Sequence, residues 1–155
     1  MHLNKVQDKI IEEFESIIDQ VKGKFRYFRH FAKLGTSLPE TTTVERTDDK
    51  MIKLTRSKVW LDAAYKDGKV YYAGDSDSSI IKGILMLYIK VFSGRTPKEI
   101  IDSDVYFTHE ISLHNYLPPD RRSELSSVLQ RMRAFAARFK ISNLNADDSN
   151  VSLAV

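Results

Sequence analysis

The chain has 155 residues, 42% of them hydrophobic and 29% charged, which is enough for one compact domain with a proper core and too little for two. It contains no cysteine, which excludes disulfides, thiolate metal sites, thiol redox chemistry and a cysteine nucleophile. Lys and Arg total 24 against 21 Asp and Glu, and a surplus of +3 neither demands nor forbids a nucleic-acid partner. The opening M-H-L-N-K-V-Q-D has no apolar run ahead of a small-residue cleavage site, and no segment approaches the roughly 18 apolar residues of a membrane span. The expected location is therefore cytoplasmic.

In chain order, Val6, Ile10, Ile11, Phe14, Ile17, Ile18 and Val21 recur at helical spacing with charged residues between them, predicting an amphipathic helix that breaks or kinks at Gly23. Phe25, Phe28, Ala32 and Leu34 supply a second apolar stripe that closes at Gly35, read as a helix C-terminal glycine. Thr36 to Asp49 is polar, proline-broken and aperiodic, a long surface loop whose apolar anchors are Leu38 and Val44.

A hairpin follows. Val59, Leu61, Ala63 and Tyr65 alternate with Lys58, Trp60, Asp62 and Ala64, and the chain returns from Lys69 to Ala73. Asp67-Gly68 between the two runs is a strong turn signal, because a type I′ turn needs positive φ at both central residues. A lone hairpin is not stable, so a further strand or covering helices must complete the sheet. Gly74 to Ser79 ends the second strand and starts a helix, with Asp77 or Ser78 placed to accept from its first amides. That helix, Ile80 to Phe92, is apolar over most of its circumference and belongs in the middle of the protein.

Thr96-Pro97-Lys98-Glu99 matches a capping box with proline at the first helical position. Asp102 to Tyr116 fits short helical turns better than a strand, and Pro118-Pro119-Asp120 is a break. Leu125, Val128, Leu129, Met132, Phe135, Ala136 and Phe139 then define a final helix, with Arg121, Arg122, Arg131, Arg133 and Arg138 mostly off its buried stripe. One domain over residues 1–140 is expected, and 141–155, rich in Asn, Asp and Ser, is expected to be a disordered tail.

The residues themselves show no active site. His2, His30, His109 and His114 are scattered without metal-ligand spacing. Asp75, Ser76 and Asp77 could form an acid-base or metal cluster, but a strand-to-helix junction favours Asp and Ser for capping alone. G-D-S-D-S-S lacks the repeated glycines and the lysine of a phosphate-binding loop. The aromatic residues near the arginines of the last helix sit on its buried stripe and cannot stack on bases, so a solvated or protein-docking face is the better reading.

Resemblance goes further. V-W-L at Val59 to Leu61, D-G-K at Asp67 to Lys69, G-D-S-D-S-S-I-I-K-G-I at Gly74 to Ile84, S-G-R-T-P-K-E-I at Ser93 to Ile100, and L-P-P-D-R at Leu117 to Arg121 occur in one order. With L-G-T-S-L-P at Leu34 to Pro39, they resemble the SufE family, sulfur acceptors that partner cysteine desulfurases in iron–sulfur cluster assembly. The resemblance covers roughly Ile10 to Lys140 and implies an α+β fold shared with the IscU-type scaffolds, a small antiparallel sheet packed against helices. No cofactor and no metal are expected.

It also implies that the loop before the V-W-L strand carries the working residue. The family loop reads approximately V-x-G-C-Q-S-x-V-W-L, and its Cys accepts a persulfide sulfur. Here the stretch is I-K-L-T-R-S-K-V-W-L, with Thr55 at the position of the Cys. The family glycine is Leu54, the Gln is Arg56, and the Asn/Gln-Gly pair after the matching Arg121 is Ser123-Glu124. A threonine hydroxyl has neither the acidity nor the sulfur chemistry of a thiolate and cannot hold a sulfane sulfur. The expectation is a protein, more an accessory than an enzyme, that binds a cysteine desulfurase without carrying sulfur. Its docking surface is expected at Lys53, Leu54, Thr55, Arg56, Ser57, Lys58, Asp75, Asp77 and Arg121. Two alternatives remain open. The loop pocket could serve an enzyme or small-ligand module, with Asp77 or His114 as a base for Thr55; or the chain could be an engineered Cys-less sulfur acceptor.

Overall fold

The computed structural model describes residues 2–20, 24–36, 44–145 and 151–152. The expected break at Gly23 and the anchor Leu38 lie outside them. Helix α1, Leu3–Gln20, buries Leu3, Val6, Ile10 and Phe14 at the period the sequence announces. Helix α2, Lys24–Thr36, sets Tyr27 and Phe31 against Phe14, with ring centroids 5.1 to 5.9 Å apart. Gly35 does not end α2 as a C-terminal glycine. It lies inside the last turn, buried against Gly83, where a Cβ would come within 3.2 Å of the Gly83 nitrogen. At Gly83 the crossing is closer still, since a Cβ there would lie 1.9 Å from the Phe31 carbonyl oxygen.

The sheet is antiparallel. Strands β1 (Met51–Lys53), β2 (Lys58–Lys66) and β3 (Lys69–Ser76) follow one another in space as in sequence. The turn at Asp67-Gly68 has φ of 53° and 78°, the two positive values of the type I′ geometry. Val59, Leu61, Ala63 and Tyr65 are buried, as alternation predicts, while Lys58 and Ala64 are exposed. Trp60 breaks the pattern. It points away from the core yet is only 7% exposed, because Arg46 lies over its ring 4.5 Å from the centroid.

Helix α3, Ser79–Phe92, packs on β3 and is crossed by α1 and α2. Its cap is Ser78, whose side chain accepts from the Ile81 amide at 3.3 Å. Helix α4, Pro97–Asp102, starts from Thr96, which accepts from the Glu99 amide at 3.2 Å as the capping pattern requires. Two single-turn helices follow, α5 (Phe107–Glu110) and α6 (Leu113–Tyr116).

Helix α7, Pro119–Asn145, lays Val128, Met132, Phe135 and Phe139 against the core. Tyr72 of β3 donates to the Met132 carbonyl at 2.6 Å, and Tyr65 of β2 stacks on Phe139 at 5.3 Å. The tail expected to be disordered from Ile141 is helical through Asn145. I-S-N-L-N holds neither Gly nor Pro, and the small propensity cost of Ser and Asn does not stop a helix already nucleated. Val151–Ser152 forms β4 and pairs with Tyr65 and Ala64 of β2. The whole is an α+β fold, a small antiparallel sheet packed against helices. Among the described residues no helix is long and apolar enough to cross a membrane.

Candidate functional site

The connection from β1 to β2, Leu54 to Ser57, brings together two buried polar side chains, Ser57 and Glu124. Met51, Ile52 and Lys53 pair with Trp60, Val59 and Lys58, so four residues bridge the two strands. Locally the loop is closed by one backbone hydrogen bond, from the Leu54 amide to the Ser57 carbonyl at 3.2 Å. Leu54 is half-buried, Thr55 and Arg56 are exposed, and Ser57 is buried.

Helix α7 supplies the rest. Glu124, in the second turn of that helix and only 2% exposed, accepts from the amides of Arg56 and Ser57 through one oxygen, at 3.0 and 2.9 Å. Its other oxygen accepts from the Arg121 guanidinium at 3.1 Å, and the same guanidinium nitrogen donates to the Ser57 hydroxyl. A buried carboxylate is tolerable only where donors replace its water, and here three do. At the solvent side, Arg56 reaches Asp120 at 3.2 Å. A shallow depression of about 320 Å³ opens beside these groups, lined by Lys53, Leu54, Thr55, Ser123, Glu124 and Ser127.

On the far side of the loop, the Lys58 amide donates to the Asp77 carboxylate at 2.9 Å, and Ser76 donates its hydroxyl to the Lys58 carbonyl at 2.9 Å. The start of β2 is thus tied to the end of β3. Asp77 serves this tie while Ser78 caps α3, which divides between two residues the roles the sequence left open. Asp75 belongs to a different cluster. It accepts from Arg46 at 2.9 Å and pairs with Lys82 at 3.3 Å, holding the segment before β1 over Trp60. Burial raises its carboxyl, but Arg46, the Ser76 amide and Lys82 outweigh this and bring it below the usual carboxylate range.

Of the expected site residues, the structure therefore joins Arg56, Ser57 and Arg121 through Glu124, and Lys58 with Asp77. It puts Asp75 in the Arg46 cluster, and Lys53 and Thr55 at the rim of the depression. Glu124 enters the sequence reading only as a departure from the resembling pair. The signal that could have found it is its spacing of three from Arg121 in a helix, which puts the two side chains on one face. As a base for Thr55 it is poorly suited, since both oxygens already accept from other donors. One Asp77 oxygen is likewise engaged by the Lys58 amide, and the side chain of His114 lies outside the described residues. Among the described residues no group of three or more His, Asp or Glu could hold a metal ion.

Two comparisons bear on this arrangement. The profile of the family described as SufE, Fe-S metabolism associated domain, matches residues 8–136. A protein of Rhizobium meliloti (strain 1021) named as an uncharacterised SufE-like protein is 30% identical over 136 residues, covering 83% of this chain and 93% of that protein.

Proposed function

The chain belongs to the SufE family, and on that premise we propose that it docks on a cysteine desulfurase without accepting sulfur from it. One observation carries the reading: Thr55, which the resemblance puts at the position of the family's Cys, is exposed in the loop between β1 and β2, in a sequence without cysteine. Accepting a persulfide needs a thiolate that attacks and then holds the sulfane sulfur, and a hydroxyl does neither. What remains is a surface. Lys53, Thr55, Arg56 and Lys58 are exposed there beside Arg121, with the loop held in one shape by Glu124 and Asp77. Asp75 flanks it through the Arg46 cluster. A loop held rigid loses little entropy on binding, which suits docking.

The changes around Thr55 support inherited loss over a single engineered replacement. Leu54, Thr55, Arg56, Ser123 and Glu124 all depart from the resembling pattern, whereas a single engineered replacement of the Cys would have changed only residue 55. In this reading the protein works beside its desulfurase in the cytoplasm and modulates it.

Titration into a matched cysteine desulfurase, recording both binding and cysteine-dependent sulfide release, tests the proposal. Saturable binding with no rise in turnover, and competition with an ordinary Cys-bearing acceptor, is the expected result. An absence of binding to any desulfurase would overturn it.

A further inference from the structure

Three donors from the β1–β2 loop and the start of α7 converge on the Glu124 carboxylate. Two consecutive backbone amides, of Arg56 and Ser57, point at one oxygen, and the Arg121 guanidinium points at the other. Convergent amides with a guanidinium are a general way of holding an anion, and the Arg121 side chain is only 19% exposed, so water competes weakly. We infer that these groups form an anion-binding site for a small carboxylate or oxyanion, filled in this chain by its own Glu124 carboxylate.

Access is built in. The depression lined by Lys53, Thr55, Ser123 and Ser127 also touches Glu124, whose side chain is 1% exposed, so truncating that side chain opens the donors toward it. In the intact protein the site is silent, because a carboxylate tethered in place presents an effective concentration that free anions do not match. The shape of the loop then depends on an anion being present at this point rather than on residue 124 as such.

The probe is sodium acetate, compared with sodium chloride at equal ionic strength. Wild-type Tm should be the same in both salts. Glu124→Ala should melt lower in chloride and regain several degrees with rising acetate, saturably, as a ligand that binds only the folded state requires. Glu124→Ala combined with Arg121→Met should lose that response. If Glu124→Ala does not fold in chloride, trimethylamine N-oxide restores compactness without supplying an anion. The amide proton shifts of Arg56 and Ser57 then read the site, moving with acetate in the variant and not in wild type. No acetate response by either measurement overturns the inference. The readout uses no desulfurase, so its failure leaves the docking proposal untouched, and failed docking leaves the anion site untouched.

Discussion

Strand β2 is entered and left through two turns held by different physics. At Asp67-Gly68 the geometry is local: two residues with positive φ reverse the chain, and a Cβ added to Gly68 would meet nothing within 4 Å. At Leu54 to Ser57 no residue adopts positive φ, one backbone bond closes the loop, and the remaining contacts come from α7, 64 to 68 residues further along the chain. A turn of the first kind changes only when its own residues change. A turn of the second kind can be reshaped by a substitution elsewhere, which makes the β1–β2 loop the more adaptable surface of the two.

The contrast is sharpest in stability. Removing the Glu124 carboxylate by Glu124→Ala leaves two amides and a mostly buried guanidinium without their acceptor, and should cost about 3 kcal/mol, roughly 10 °C in Tm. Urea melts of wild type and variant check it, and a loss of a few tenths would mean that the loop holds itself. Gly68→Ala forces a Cβ into φ of +78° and should cost about 1 kcal/mol. It should leave the amide shifts of Arg56 and Ser57 where they are; movement of those shifts would show that the two turns are coupled through β2.

The smallest effect is a dependence on pH. Asp75 sits lower in the folded chain than its ordinary value of about 3.9, so its contribution is complete above that value and is lost as pH falls through the folded one. The difference in urea midpoint between wild type and Asp75→Asn should therefore be present at neutral pH and vanish in strong acid. Persistence of the difference in acid would show that Arg46 and Lys82 do not act through the ionised carboxylate.

Much of the fold was legible because its signals are short-ranged. Alternation from Val59 to Tyr65, the Asp67-Gly68 turn, the mostly apolar α3 and the Thr96 cap each depend on residues within a few positions of one another, and each appears where the sequence puts it. The family motifs added the α+β architecture. Gly35 misled because a glycine near a helix end can stop the helix or admit a neighbour, and only the position of Gly83 distinguishes the two. Trp60 misled because alternation assigns a face without saying what covers it, and the cover is Arg46, anchored by Asp75.

The site divides in the same way. The sequence by itself determined that the chain holds no cysteine, and only the resemblance puts Thr55 at the family's working position, since both are matters of residue identity and order. Only the tertiary structure decided that Glu124 is the acceptor for the loop, that Asp77 rather than Asp75 ties the start of β2, and that Arg121 reaches Ser57. Those contacts join strand, loop and helix ends that no local propensity brings together. They form once packing of α7 on the sheet has placed the carboxylate where the two amides emerge.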